Sequence, residues 1–207
     1  MNDTINLFGA SGHAKVVMDI MNACNIKLGF LFDDDTSIIN FNGYEVTSNY
    51  NSEQLKDYPT IISIGNNYTR KRIYESHTII DQQPLIHPSA IISKDVKIGV
   101  GSVVMPNVVI NSGAVIGKNC IINSSAVIEH DCYIEDYVHI SPNAALAGGV
   151  KIMEGSHIGI GSSIIQLMTI GKWTTIGAGS VIIKNIPDNS TVVGNPGKVI
   201  KTGQPMK

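Results

Sequence analysis

Charge is scarce in this chain of 207 residues: only 15% of it is Asp, Glu, Lys or Arg, and the net charge is −2. A nucleic-acid partner needs a clustered basic face, so that class of partner is not expected. No apolar run reaches the roughly 20 residues of a bilayer-spanning helix, so no membrane span is expected either. The start, Met1-Asn2-Asp3-Thr4, lacks the basic charge of a secretory leader, and its apolar segment soon meets Gly9 and His13. Cysteine is limited to three residues, an odd number. Cys24 falls in an expected helix, and Cys120 and Cys132 fall at small inward positions of the pattern below. All three read as reduced thiols acting as small hydrophobes. A cytoplasmic protein is the simplest expectation.

What the chain has in quantity is one aliphatic residue every six positions. The series runs Ile86, Ile92, Ile98, Val104, Ile110, Ile116, Ile122, Ile128, Ile134, Ile140, Leu146, Ile152, Ile158, Ile164, Ile170, Ile176, Ile182, without an insertion. Four residues after each comes a mostly small partner, such as Ala90, Ser102, Ala114, Cys120, Ala126, Cys132 and Ala144. Helices return apolar residues at three and four, plain strands at two. A period of six with Gly and Asn between fits short strands separated by bends. Three such strands make a triangular coil of 18 residues, and stacked coils bury the aliphatic series in a narrow core.

Residues 1–83 alternate differently. Strands are expected at Ile5–Phe8, Leu28–Phe32, near Tyr44–Val46 and at Thr60–Ile64. Helices are expected from His13 to about Asn25 and from Thr69 to about Glu75. This alternation predicts a small parallel α/β sheet of Rossmann-like type. Residues 84–186 carry the repeat, and 187–207 form a tail. A solenoid end exposes core, so the α/β domain is expected to cover one end and the tail the other.

Three groups of residues could carry chemistry. Gly9-Ala10-Ser11-Gly12-His13 joins a strand to a helix, where backbone N–H groups and the helix N-terminus favour an anion. It is not the G-x-G-x-x-G fingerprint, and a mere tight turn reads as well. Asp33, Asp34, Gly65 and Asn66 end the next strands on the same rim, where open α/β sheets gather ligands. Glu129-His130-Asp131 places an imidazole beside carboxylates at a bend, the usual arrangement of a general base, though sequence neighbours can diverge. His139 and His157 are 18 residues apart and should stack, facing outward, on adjacent coils. His130, His139 and His157 also invite a zinc reading, but three imidazoles would have to converge, and no metal is expected. Tyr133, Tyr137 and Trp173 read as contacts between subunits, and Arg70-Lys71-Arg72 as a solvated helix face.

These motifs together resemble the bacterial sugar O-/N-acyltransferases of the left-handed β-helix superfamily. The resemblance is carried by Gly9-Ala10-Ser11-Gly12-His13, Phe32-Asp33-Asp34, Ile64-Gly65-Asn66-Asn67, Arg70-Lys71-Arg72-Ile73-Tyr74, Asn123 to Asp131 and Gly194-Asn195-Pro196-Gly197-Lys198. It is nearest to the nucleotide-4-aminosugar N-acetyltransferases of bacillosamine synthesis, with sialic acid O-acetyltransferases similar in layout. The resemblance implies a left-handed parallel β-helix, a homotrimer with active sites between subunits, and acetyl-CoA as cosubstrate. It implies catalytic roles for His130, Asp131 and His139, where nearest relatives carry a glutamate at the second position. It places Asn123, His139, Gly148 and Gly161 against acetyl-CoA, with Gly148 giving a backbone N–H to the thioester oxygen. It places Ser11, Gly12, His13, Asp33, Asp34, Gly65 and Asn66 against the nucleotide sugar.

The first reading is acetyl transfer to the amine of a nucleotide-linked 4-amino-4,6-dideoxy sugar in bacterial surface glycan synthesis. An attacking amine must lose a proton, and histidine as a residue type, titrating near ~6.5, suits that task at neutral pH. No acyl-enzyme is needed. O-acetylation of sialic acid or a capsule sugar is the second reading, and a non-catalytic trimeric sugar-binding scaffold the third.

Overall fold

In the computed structural model, residues 4–51 and 53–203 are described. The expectation on a leader at Met1-Asn2-Asp3 and the last four tail residues lie outside the described residues. Among the described residues, no helix is long and apolar enough to cross a membrane.

The N-terminal domain grows from β1 (Thr4–Phe8), whose Ile5, Leu7 and Phe8 are buried on both faces of a sheet. α1 (Gly12–Ala23) follows and buries Ala14, Val17, Met18, Ile20 and Met21 along one stripe. Then come β2 (Lys27–Phe32), β3 (Asn40–Phe41), β4 (Tyr44–Thr47), β5 (Thr60–Ile62) and α2 (Asn67–Ser76). The strands order β3-β4-β2-β1-β5, parallel except for the short β3–β4 hairpin. β5 ends two residues before the expected Ile64, although the Ser63 N–H still donates to the Phe8 carbonyl and its buried hydroxyl lies 2.7 Å from the Gly9 carbonyl oxygen. α2 starts two residues before the expected Thr69 because Asn66 caps it, its side chain accepting from the Thr69 N–H.

From Leu85 onward the chain makes two-residue strands that pair in parallel with the strand 18 residues later, as Ile110 with Ile128 and Ile122 with Ile140. They form three flat sheets, the faces of a prism. Every member of the aliphatic series from Val104 to Ile182 is buried, and Ala114, Cys120, Ala126, Cys132 and Ala144 fill the gaps between. Each fully buried Ile contributes about 1.5–3 kcal/mol relative to exposure. The corners need left-handed backbone, and those residues also stack in columns. One holds Gly101, Asn119, Tyr137, Gly155 and Trp173, and another Gly113, Asp131, Gly149 and Leu167.

The two domains meet along a flank of the prism, not at its end as expected. Outward-facing Leu85, Val103 and Ile121 share one core with Ile5, Val17 and Met21 of the sheet and α1. Ile86, Ala90 and Ile92 of the first coil stay half-buried. The repeat also runs past Ile186. Ser190–Val193 pairs with Thr175–Ile176 in parallel, and Lys198–Thr202 returns antiparallel to it. Val192 and Ile186 remain in the core, and Gly197 packs on Ile182 so closely that a Cβ would sit 2.6 Å from its Cδ1.

Candidate active site

Asp131 occupies a corner with φ of 60°, a conformation that a short polar residue tolerates. That backbone turns its carboxylate back onto the preceding imidazole: His130 Nδ1 lies 2.9 Å from Asp131 Oδ2. With a proton on Nδ1 the carboxylate orients the ring and leaves Nε2 with its lone pair. Both side chains are open to solvent, at 64% and 74% exposure, so a reactant has free access. The imidazole lies over Gly148 of the next coil, where a Cβ would come within 2.6 Å of Cε1 and Nε2. The Gly148 carbonyl accepts from Leu167, while its N–H is bonded to none of the described residues. A base with a free lone pair and a free backbone donor therefore stand side by side. Gly161 lies on a different corner, with nothing to meet a Cβ within 4 Å.

His139 stands on another face. Its ring lies parallel to that of His157, 4.7 Å away with a 4° interplanar angle, as the 18-residue spacing predicts. Nε2 is 3.0 Å from the Asn123 amide nitrogen, and the ring of His13 from α1 lies 6.5 Å off. Burial, then His157, Arg70 and His13, push the His139 pKa down to about 2. Burial, then Arg70, lowers His13 to about 4, and the same two causes lower His157. All three are neutral near pH 7, so His139 is a hydrogen-bonding group and not a proton acceptor there.

The rim of the α/β sheet is more occupied than its sequence suggests. Ser11 is exposed at the N-cap of α1 and makes no side-chain cap, and Gly12 beside it is exposed. Asp33 accepts from the Ala10 N–H at 2.6 Å and from the Asp35 N–H at 2.9 Å, so it holds the first loop to the end of β2. Asp34 accepts from the Tyr50 hydroxyl at 2.6 Å, and that oxygen is 3.1 Å from His77 Nε2. Tyr50 and His77 carry no motif, and only the fold joins them to this rim. Gly65 and Asn66 line a cleft of about 370 Å³ between α2 and the prism, with His139, His157, Tyr68 and Trp173 on its walls.

Arg70 is not on a solvated face: it is 1% exposed and donates to the carbonyls of Ile64, Gly65, Asn119 and Tyr137 and to Asn67 Oδ1. Asn67 in turn donates to the carbonyls of Gly155 and Ser156, so α2 is bolted to one corner column of the prism. Lys71 pairs with Glu154 and lies over the rings of Tyr137 and Trp173. Tyr137 and Trp173 therefore serve contacts within the chain, Trp173 edge-on to Tyr68, and only Tyr133 is left exposed. The thiols of Cys120 and Cys132 are buried, and burial pushes Cys120 up to about 12, which removes it as a nucleophile.

Within one chain the structure does not gather all the site residues. His130, Asp131 and Gly148 sit at one corner. His13, His139, Gly65, Asn66 and the first loop gather around another face, against the α/β domain. The two groups are separated by the sheet containing Tyr133–Ile134. For the same reason His130, His139 and His157 do not converge, and among the described residues no three His, Cys, Asp or Glu side chains could hold a metal ion.

Residues 4–77 match the family described as PglD N-terminal domain, and 113–148 match bacterial transferase hexapeptide (six repeats). Among solved structures the chain is similar to PerB of Caulobacter crescentus, in complex with CoA and GDP-perosamine. They share 33% identity and a TM-score of 0.90 over 96% of this chain and 97% of that one. It is similar to the acetyltransferase domain of PglB from Neisseria gonorrhoeae in complex with acetyl coenzyme A, at 37% identity and a TM-score of 0.86. That match covers 97% of this chain and 100% of the other. Curated relatives match only a part: the serine acetyltransferase of Bacillus pumilus is 47% identical over 49 residues, 24% of this chain and 23% of that protein. The chain thus spans about a quarter of the length of the curated relatives it matches. Likeness along nearly the whole chain at these identities means that it belongs to the left-handed β-helix family of sugar N-acetyltransferases.

Proposed function

We propose that this protein transfers the acetyl group of acetyl-CoA to the 4-amino group of a nucleotide-linked 4-amino-4,6-dideoxy sugar, in the cytoplasmic stage of bacterial surface glycan synthesis. The observation that carries the reading is the His130–Asp131 pair held at 2.9 Å beside the Gly148 N–H. It supports a direct displacement. The sugar amine attacks the thioester carbonyl, and His130 Nε2 takes the amine proton as the C–N bond forms. The oxygen that gains charge accepts from the Gly148 N–H, and collapse releases the CoA thiolate, which takes the amine's proton on from His130. A fixed donor of that kind is worth about 3–4 kcal/mol to such a transition state. The relatives in complex with CoA, acetyl coenzyme A and GDP-perosamine support the same pair of substrates.

In this reading the enzyme works as a homotrimer. The rim that would take the nucleotide sugar and the corner that carries His130 are on different edges of one chain, so a neighbouring copy would supply the other half. One face of the prism also presents a mostly apolar outward column, Ile91, Val109, Val127, Ala145, Ser163 and Val181, none of it buried in the single chain. Acetyl-CoA would lie between two prisms.

The test is thiol release from acetyl-CoA with a panel of UDP-, dTDP- and GDP-linked 4-amino sugars, beside free sialic acid. Rapid turnover of one nucleotide amino sugar is expected and would identify the carrier. Release only with sialic acid or another hydroxyl acceptor would replace the reading with O-acetylation. Silence with every acceptor from a folded oligomer would leave a sugar-binding scaffold.

A further inference from the structure

His157 is claimed by neither the motifs nor the proposed mechanism, although it is a wall of the cleft and lies flat on His139. Its Nε2 is 2.8 Å from the hydroxyl of Ser141, itself 5% exposed, so the ring is held from below as well as by stacking. The Asn123 amide is oriented in turn, since its Oδ1 accepts from the Ser124 N–H at 2.8 Å. That leaves its NH₂ to face His139 Nε2 at 3.0 Å. A nitrogen that faces a donor must be an acceptor, so the proton of neutral His139 belongs on Nδ1. Nδ1 is buried and makes no well-aligned hydrogen bond among the described residues, and the Gly65 carbonyl near the ring is the one neighbour that favours a proton on it; His13 Nε2 is likewise buried and unpartnered among the described residues.

We propose that His157, with Ser141 beneath it and Asn123 beside it, is a positioning residue that locks His139 as the uncharged Nδ1–H tautomer. The stacked pair then forms a rigid, neutral wall between the nucleotide-sugar rim and the prism. The inference rests on the proposed function for its kinetic consequence, but the tautomer itself is a property of the free protein. Among the described residues, the titratable or charged groups that face His139 are His157 from the next coil, His13 from α1 and Arg70 from α2. Each disfavours a positive charge on His139, and none is a carboxylate that would hold one. A charge on either stacked ring would also repel the other. His139 in that wall keeps one protonation state from mildly acidic to alkaline pH.

Histidine-labelled protein examined by ¹⁵N NMR between pH 5 and 8 tests this without any substrate. For His139 the expected result is a protonated Nδ1, a bare Nε2 and no titration across that range. His157→Phe should preserve all three, because it keeps the stacked ring. His157→Ala should let His139 titrate inside the range or mix its tautomers. It should also raise the KM for the acceptor by about tenfold, with kcat changed less than about threefold. Asn123→Ala should mix the tautomers without removing the stack. Titration of His139 in the unsubstituted protein, or a bare Nδ1, would overturn the proposal. So would a His157→Ala protein that folds and leaves the His139 resonances unchanged. Loss of transfer to every acceptor with the NMR pattern as stated would instead discredit the proposed function alone.

Discussion

At the scale of single residues, the decisive contact is one that glycine alone permits. The His130 ring occupies the space in which any other residue at 148 would place its Cβ. Gly148→Ala should therefore swing the imidazole away from the backbone donor. Because the ring is exposed and free to move, the cost in stability should stay below about 1 kcal/mol. Turnover should fall by at least ~10²-fold, the lower range for loss of a general base. Paired thermal melts and initial rates check both halves of this statement. A second residue-scale consequence concerns acid. His13 and His139 are neutral in the folded chain, with pKa values of about 4 and about 2, against about 6.5 when unfolded. The unfolded chain binds more protons below that value, so the stability from burying these rings is complete above about pH 6.5 and is lost as pH falls, toward about 4 for His13 and toward about 2 for His139. Urea midpoints measured from pH 7.5 down to 5 should decline. They should decline less in a His13→Gln protein.

At the scale of elements, α2 is the joint between the domains. Arg70 satisfies all its donors with acceptors drawn from the loop before α2, from Asn67 and from the corner carbonyls of Asn119 and Tyr137. Among the described residues its charge has no carboxylate partner, and burial lowers its pKa to about 10, which still leaves it cationic at neutral pH. Arg70→Met would strand several buried acceptors at about 1–3 kcal/mol each, so a total loss of at least ~3 kcal/mol is expected. Hydrogen exchange should quicken in α2 while the coil strands stay protected. None of this was legible in the sequence, where Arg70-Lys71-Arg72 looks like any polar helix face. The partners that Arg70 finds on the prism lie 49 and 67 residues away, and they are backbone carbonyls, which carry no residue signature. The aliphatic series was legible because one residue in six repeats the same steric demand in every coil. The stacking of His139 on His157 was legible for the same reason. The contact between His130 and Asp131 was only half legible. Adjacency suggested it, but the left-handed turn at Asp131 that brings it about depends on the column of corner residues. Asp33 shows a contact that the sequence did not reveal, a carboxylate expected to face a ligand that also serves two backbone N–H groups.

At the scale of the whole molecule, a prism with one flank closed by the α/β domain leaves its remaining apolar column uncovered. In the proposed trimer that column meets a neighbouring copy, and each site is assembled from two chains. Val127→Asp would bury a carboxylate in that contact. The expected outcome is a protein of one-third the native mass by sedimentation, folded by circular dichroism and without transferase activity. A monomer of unaltered activity would contradict the shared site.

The most direct test of the account is the single-turnover rate of acetyl transfer by His130→Ala beside the unsubstituted protein. It would use whichever nucleotide amino sugar the acceptor panel selects, with acetyl-CoA affinity and oligomeric mass measured in parallel. The account predicts unchanged mass and acetyl-CoA binding and a transfer rate lower by at least ~10²-fold. An unchanged rate would take His130 out of the chemistry and contradict the mechanism built on it.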